Sequence, residues 1–519
     1  MSWEANSWPP PDPGAARHDP LLRSYAPPSV GDPGAGAGAG RLLRAARIAI
    51  PVVLVLVVLA LNVERAPADP YPSHWDDRVS DLVAFVERTR ELEFDHPVEI
   101  EFLATDAFDD TLGGFDPAYE NDDTSTALYH VLGLADDYDP GAATETGASL
   151  VLGYFDGVGI KVRGDQLTPA VRTVLVHELT HALQAQHFEV SAFNGANSLA
   201  LIEGDAMRIE DRYVATLDAD DRAAVEAELY FGDDTDDTDD TGGTGGTGGT
   251  DTADALPWTL GELQVEPYVV GPSFLAVVEA DGGTAAVDDA IRTPPADEGL
   301  VDPWQYLDPR PVGFLPELEI DAPAGADVVV PSRPFGLFEA LVLFDTWLPW
   351  QQTRRALDGW RDGAIVVHDS DDSDDRTCAT VALRVDTDAA ADRLATTVDD
   401  WADAAGTDAE PTIDRIDGKP VVSFTSCDRS GPAVPTMPVM TPSWSIVFEN
   451  QFVTDLLDTR PDLSRRVTRC AARRLVDDAA FVDYVTDTGE SDATWDAYVE
   501  ARDDLLARCQ DEPHAQSDL

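Results

Sequence analysis

The chain has 519 residues, more than one hydrophobic core usually organises, so we expect two or more domains. Its 98 acidic residues against 35 basic ones give a formal charge of −63, which excludes nucleic acid as a partner because phosphate binding needs clustered lysine and arginine. Such a strongly hydrated acidic surface is typical of proteins that work at very high salt, and 43% hydrophobic content with 11 tryptophans argues against widespread disorder.

The N-terminal part is predicted to be a tail followed by a membrane anchor. Residues 1–40 are rich in proline, glycine and alanine, so we expect a disordered cytoplasmic tail. Residues 41–64 begin with arginines and continue as an apolar run, which predicts a single-pass transmembrane signal anchor that places the rest of the chain outside the cell. Two alternatives are a signal peptide cleaved after Ala68, which would make the protein secreted, and a buried soluble helix.

A catalytic domain is predicted over residues 65–320. Apolar spacing favours a helix from Asp77 to Arg90, and alternation favours a strand from Val98 to Phe102. Two further apolar runs flank Asp156-Gly157 and predict a β-hairpin.

An HExxH motif occupies residues 177–181 of a predicted helix. Thr168 can cap this helix and Pro169 suits its first position, and the pattern extends to about Phe188. His177 and His181 lie one turn apart on one face, so both imidazoles can reach one metal ion. Glu178 lies beside them as the candidate general base that deprotonates a water molecule. The alternative is a buried helix whose histidines are satisfied by hydrogen bonds.

A second apolar segment, residues 199–206, carries Glu203 at its centre. A carboxylate from a second helix would complete the protein ligands of a catalytic zinc site, so Glu203 is predicted as the third ligand. Glu210 is the competing carboxylate, ranked second because Glu203 has more apolar surroundings. Alternatively, Glu203 begins a surface helix.

The combination of HExxH with a glutamate about twenty residues later resembles the gluzincin, thermolysin-like class of zinc metallopeptidases. The segments HELTHALQAQHF, ALIEGDA, PYVVGPSFLAVVEADGG and DDAIRTPPA resemble a family of uncharacterised prokaryotic zinc peptidases, over about residues 95–365. The resemblance implies a zincin-like domain with a mixed sheet and an active-site helix, and one Zn²⁺ per chain. It also implies the ligands His177, His181 and Glu203, with Glu178 as general base.

In that class, a strand just before the metal helix borders the cleft and can pair with an extended protein or peptide substrate. For the hairpin of this chain, a purely structural role is the alternative. Tyr268, in a predicted helix from Pro267 to Glu279, could donate a proton beside a developing oxyanion, although a core tyrosine is the more frequent case. Residues 232–255, built from Asp, Thr and Gly, are predicted to be a disordered acidic insertion.

The C-terminal part is predicted to be a smaller α+β module at 321–449, a helical hairpin at 450–510 and a tail at 511–519. The overall fold class is therefore α+β. A linker is expected at 322–334, and His368 is expected to be exposed at a strand end. The predicted elements of the module are helices at 335–350 and 389–401 and strands at 364–368, 377–385, 412–416 and 421–426. The hairpin is expected to consist of helices at 452–485 and 494–510.

The four cysteines are Cys378, Cys427, Cys470 and Cys509. They show no Cys-x-x-Cys spacing, so a zinc ribbon or a thiol redox site is not expected. Two fall on predicted strands of the module and two on the terminal helices. Disulfides Cys378–Cys427 and Cys470–Cys509 are therefore expected outside the cell, although three connectivities are possible.

Together, these features predict a membrane-anchored, outward-facing zinc-dependent peptidase that hydrolyses peptide bonds. One alternative is a catalytically inactive zinc-binding module that acts in surface adhesion or assembly. The other is a membrane-anchored structural protein in which the HExxH motif is accidental.

Overall fold

The structure is a computed structural model of the chain. It describes residues 71–112, 123–136, 151–188, 196–231, 257–308, 315–370, 376–438, 440–460, 462–476, 478–486 and 492–511. These residues form helices together with a three-stranded and a five-stranded sheet. The predicted α+β fold class is confirmed.

The N-terminal half contains a small sheet and the long helices that surround it. Its elements in chain order are α1 (Ser80–Arg90), β1 (Ile100–Leu103), α2 (Thr105–Leu112), α3 (Asp123–Val131), β2 (Gly153–Phe155), β3 (Ile160–Arg163), α4 (Pro169–His187), α5 (Ala196–Thr216), α6 (Ala219–Phe231) and α7 (Trp258–Arg292). The strand order is β1-β3-β2, with β1 parallel and β2 antiparallel to β3. The sheet is therefore mixed, and the predicted hairpin is confirmed.

Helix α4 packs its apolar face on this small sheet. Its start agrees with the sequence, because the Thr168 side chain accepts a hydrogen bond from the backbone N–H of Val171 at 3.2 Å and Pro169 opens the first turn. Leu175 and Leu179 are fully buried in one cluster with Ile160 and Val162 of β3. This packing holds the HExxH helix rigidly against the sheet.

Helices α5 and α7 cross so closely that two glycines are required at the crossing. A Cβ atom on Gly271 would lie 1.9 Å from the carbonyl oxygen of Ala200, and one on Gly204 would lie 2.5 Å from the carbonyl carbon of Gly271. Both distances are far below van der Waals contact. The crossing therefore sets the position of the backbone next to Glu203.

The C-terminal half contains the larger sheet and a group of terminal helices. Its elements are α8 (Asp297–Val301), α9 (Pro303–Leu307), β4 (Val328–Pro334), α10 (Leu337–Asp345), α11 (Trp350–Ala356), β5 (Trp360–Asp369), β6 (Thr377–Val385), α12 (Asp388–Ala405), β7 (Thr412–Ile416), β8 (Lys419–Ser426), α13 (Pro442–Thr459), α14 (Arg465–Leu475), α15 (Ala479–Thr486) and α16 (Asp492–Asp511). The strand order is β4-β5-β6-β8-β7, antiparallel throughout.

Three sequence expectations for this half are wrong. The predicted linker contains strand β4, which lies at the edge of the sheet. An edge strand has a hydrogen-bonding partner on one side only, so a proline, which lacks the N–H group, is tolerated there. His368 is buried, since β5 lies between β4 and β6, and its ring is within hydrogen-bond distance of Thr380. The helix expected at 452–485 is divided among α13, α14 and α15.

One large core joins elements from both halves. It includes Phe274 of α7, Phe344 of α10, Leu383 of β6 and Trp401 of α12, all fully buried. Side chains on both sides of residue 320 therefore share one apolar interior. A separate cluster holds the terminal helices α13 to α16 together.

Both predicted disulfides are present. Cys378 bonds to Cys427 across 49 residues, and Cys470 bonds to Cys509 across 39 residues. By chain entropy, loops of this length would stabilise the fold by roughly 4 kcal/mol each. The second bridge ties α14 to α16, where the apolar core is smaller.

The described residues contradict the prediction of a single-pass membrane protein. No helix among them is both long enough and apolar enough to cross a bilayer. Even α7, which spans 35 residues and is interrupted by a kink at Gly283, carries Glu262, Glu266 and Glu279. The segment 41–64, to which the anchor was assigned, lies outside the described residues, as do 1–40, the insertion at 232–255 and 512–519.

Two acidic side chains are buried where α7 meets α10. Glu262 is 5% exposed and Asp345 is 9% exposed. Burial, together with the nearby charge of Glu262, raises the pKa of Asp345 to about 8. Burial also raises the pKa of Glu262, whose carboxylate accepts a hydrogen bond from the backbone N–H of Ser443.

We expect Gly271→Ala to destabilise the protein by roughly 1–3 kcal/mol, because the added methyl group would force α7 away from α5. Urea unfolding measures this change. Gly336→Ala is the matched control, since its Cβ would lie 3.6 Å or more from its neighbours. Wild-type stability of Gly271→Ala would contradict the close helix crossing.

Asp345→Asn is expected to stabilise the protein at pH 8 by roughly 1–3 kcal/mol and to have little effect near pH 4. The pKa of Asp345 is raised from 3.8 to about 8 in the folded state. The neutral carboxyl is therefore favourable at pH 4, and this contribution to the free energy of unfolding is lost as the pH rises from about 4 to about 8. Unfolding at both pH values tests this, with the exposed Asp358→Asn as control. Equal effects of Asp345→Asn at pH 4 and pH 8 would disprove it.

Candidate metal centre

Helices α4 and α5 bring the three predicted ligands together. The Nε2 atoms of His177 and His181 lie 3.3 and 3.4 Å from the same carboxylate oxygen of Glu203. His177 and His181 are one helical turn apart, and Glu203 reaches them from the neighbouring helix. One potential ligand atom from each residue lies within 4.8 Å of the others, and all three side chains are buried. This group could therefore hold a metal ion.

The fourth predicted residue, Glu178, lies beside this group on α4. Its Oε2 atom accepts a hydrogen bond of 2.8 Å from the backbone N–H of Phe155 in β2. The side chain is 1% exposed. Burial raises the pKa of Glu178 to about 7, and the nearby His177 and His181 oppose this only in part.

The three candidate ligands influence one another's protonation. Burial alone would raise the pKa of Glu203, but the charge of His181 and the hydrogen bonds from both imidazoles outweigh it and lower this pKa to about 2. Burial disfavours the charged form of both histidines. Even so, hydrogen bonds with Glu203 and Glu210 raise the pKa of His177 well above its ordinary value, and the Glu203 charge raises that of His181. These opposite shifts both favour a contact between charged imidazoles and an ionised Glu203 carboxylate.

The donor set fits a divalent metal ion. Two imidazole nitrogens and one carboxylate oxygen are typical ligands of zinc and its neighbours among the transition metals. Within the described part of the chain, the Oε1 atoms of Glu203 and Glu178 are buried and have no hydrogen-bond partner. Leaving such an atom unsatisfied costs about 1–3 kcal/mol, so both carboxylates are suited to a further partner.

Glu210, the competing carboxylate, has a different position. Its Oε2 atom lies 2.9 Å from Nδ1 of His177, on the side of the ring away from Glu203. Because Glu210 lies seven residues after Glu203, about two turns along α5, both face α4. Glu210 therefore contacts the imidazole rather than joining the three-residue group.

Two further residues at the site were not predicted from the sequence. Gln184 places its Oε1 atom 3.0 Å from Nδ1 of His181, and Asp205 accepts a hydrogen bond from the Gln184 amide. The spacing of three residues between His181 and Gln184 on one helix face could have indicated the first contact. Tyr268 is 4% exposed and packs against Leu199, as expected for a core tyrosine.

Comparisons with known proteins identified no similar protein. No protein-family model matches the chain, and neither the curated proteins nor the solved structures contain a significant match. The resemblance to gluzincins therefore stays a prediction based on the motifs quoted above.

Proposed function

We propose that this protein is a zinc-dependent hydrolase of peptide bonds. The observation that carries the proposal is the convergence of His177, His181 and Glu203 on one point, with the Glu178 carboxylate beside them. Ligands from two separate helices meet there in a buried environment. An accidental HExxH motif would not require a third ligand to be correctly placed.

The types of the ligand atoms favour zinc, and the two distances that involve Glu203 agree with it. Two ligands at zinc bond lengths of 2.0–2.2 Å and tetrahedral angles would be about 3.3–3.5 Å apart. The distances from the Glu203 oxygen to the two imidazole nitrogens are 3.3 and 3.4 Å. Calcium and magnesium prefer sets of oxygen ligands, so they suit this site less well.

Glu178 is suited to act as general base. His177, His181 and Glu203 would hold the zinc ion, which would supply polarisation of a scissile carbonyl and a lowering of the pKa of water to about 7. The Phe155 N–H holds one oxygen of Glu178, so the carboxylate cannot rotate freely. A carboxylate with a pKa of about 7 can accept a proton from water and return it to the leaving amine at neutral pH.

The outer edge of β2 is the candidate place for a peptide substrate beside Glu178. The Leu152 carbonyl accepts a hydrogen bond from Arg163 of β3 and the Asp156 N–H donates to Gly159 just before β3, so the alternation of an antiparallel strand directs the backbone groups of Gly153 and Phe155 to the opposite side. The hydrogen bond from the Phe155 N–H to Glu178 agrees with this direction. The Phe155 N–H is therefore already used by Glu178, and Gly153 would provide the donor for an extended peptide that passes Glu178. Because all three residues of β2 are buried, such pairing requires this edge to become accessible.

A catalytically inactive zinc-binding domain is the second candidate function. It is favoured by the burial of the site, since none of His177, Glu178, His181 and Glu203 is more than 5% exposed. Zinc analysis and a peptide-library assay in molar salt distinguish the two candidates. Stoichiometric zinc without turnover would favour the inactive domain, and absence of zinc would exclude both.

We expect Glu178→Gln to keep about one zinc per chain while lowering turnover about 10²- to 10⁴-fold, because the amide cannot accept the proton. Metal analysis and cleavage of a casein-type substrate measure the two effects. Glu87→Gln is the matched control, since Glu87 also accepts a backbone N–H, from Phe94, but lies outside the metal group. Wild-type turnover of Glu178→Gln would refute the general-base role.

Zinc binding at pH 7 should release about one to two protons per ion, because coordination requires neutral imidazoles and both histidine pKa values are raised. Zinc affinity should accordingly fall as the pH decreases. Calorimetric titrations in buffers of different ionisation enthalpy count the protons, and His181→Ala should show no stoichiometric binding. Tight zinc binding without proton release would contradict the protonated state of the metal-free site.

A further inference from the structure

We propose that Gln184 is a positioning residue that holds His181 in the tautomer whose Nε2 atom is free to bind the metal ion. The inference rests on the proposed zinc site, because it assigns a role to a contact of one of its ligands. It adds a chain of buried hydrogen bonds from His181 to an arginine on α1.

The orientation of the Gln184 amide is determined by its neighbours. Gln184 is 1% exposed, and its Nε2 atom donates to the backbone carbonyl of Ile202 and to Oδ2 of Asp205, each at 3.0 Å. Both partners are acceptors, so the NH₂ group must face them. The amide oxygen must therefore face His181, and the flipped amide would lose both bonds.

The amide oxygen in turn favours one tautomer of His181. It lies 3.0 Å from Nδ1 of the ring and can only accept a hydrogen bond. This contact favours the proton on Nδ1. When a metal ion takes the place of the proton between His181 and Glu203, the Nδ1–H form leaves the lone pair on Nε2, the atom on the side of Glu203.

Asp205 is kept in place by two cations. Its carboxylate accepts hydrogen bonds from Arg90 at 2.8 Å and from Arg208 at 2.7 Å, and Asp205 and Arg90 are fully buried. Arg90 also contacts Asp288 of α7. The two arginines thus keep the Asp205 carboxylate in position to accept the hydrogen bond from Gln184. Through Asp205 and Arg90, the position of Gln184 depends on helices α1, α5 and α7.

The two histidines are consequently oriented by different chemical groups. His177 contacts the carboxylate of Glu210, whereas His181 contacts a neutral amide. A carboxylate at position 184 would face the Asp205 carboxylate without a donor between them. An amide resolves this conflict because it provides an acceptor for the imidazole and a donor for Asp205.

The test compares wild-type protein with Gln184→Ala, Gln184→Leu and Gln186→Ala. Gln184→Leu keeps most of the side-chain volume and guards against a collapse of the core around the smaller alanine. Gln186→Ala is the matched control on the same helix, because Gln186 contacts the backbone of Asp95 and His96 instead of a candidate ligand. Zinc affinity is measured by chelator competition.

The second readout is the histidine tautomer, from long-range ¹H–¹⁵N NMR of histidine-labelled, metal-free protein at alkaline pH. It is measured in the Glu203→Ala background, because the Glu203 carboxylate faces Nε2 of His181 and would itself hold a proton there. In that background we expect the Nδ1–H tautomer of His181 with Gln184 present and with Gln186→Ala, and a mixture of tautomers with either Gln184 substitution. The zinc affinity of the two Gln184 variants that keep Glu203 should be about 10- to 100-fold weaker, the usual effect of removing a hydrogen-bond partner of a metal ligand.

Unchanged zinc affinity in both Gln184 variants would overturn the proposal, as would an Nε2–H tautomer in the Glu203→Ala protein that keeps Gln184. A wild-type protein that binds no zinc would refute the proposed function. The tautomer measurement would then still decide the role of Gln184, because it needs no metal. The two failures are therefore distinguishable.

Discussion

The Glu203 carboxylate lies between two imidazoles in the interior of the protein, and the candidate site depends on this contact. A buried carboxylate without a compensating charge is strongly unfavourable. Here the cations are the rings of His177 and His181, which protons can charge when no metal ion is bound. A divalent metal ion could replace those protons, which is why the same geometry suits both states.

This contact is held from outside by close backbone packing and by buried ion pairs. Gly204 and Gly271 let α5 and α7 approach to backbone contact directly beside Glu203. Arg90 and Arg208 bind Asp205, which is two residues further along α5. Helix α5 is therefore fixed on two sides. These contacts oppose small shifts of α5 that would separate Glu203 from the histidines.

The distribution of charge follows from the scarcity of cations in this chain. Lysine occurs only at Lys161 and Lys419, so arginines provide nearly all the positive charge. Several buried arginines pair with aspartates, including Arg90 with the buried Asp205 and Arg384 with the partly exposed Asp362. Planar guanidinium groups suit such pairing. Because 98 acidic residues face only 35 basic ones, most carboxylates cannot pair with a cation of the chain.

The local features of the site could be predicted from the amino-acid sequence alone. Thr168 and Pro169 mark the start of α4, the HExxH spacing places two imidazoles on one face, and the apolar segment around Glu203 indicates a buried helix. The cysteine pairing and the α+β class were also predictable. These features depend on helix periodicity and on residue type, which act over short stretches of chain.

Roles that depend on residues far apart in the chain could be assigned only from the folded structure. It placed Glu210 on the far nitrogen of His177 and revealed the contact of Gln184 with Asp205. It also buried His368, because strand order is not encoded in the strand itself. Which side of an imidazole a carboxylate approaches is set by how two helices cross. That crossing depends on side-chain packing between residues far apart in the chain.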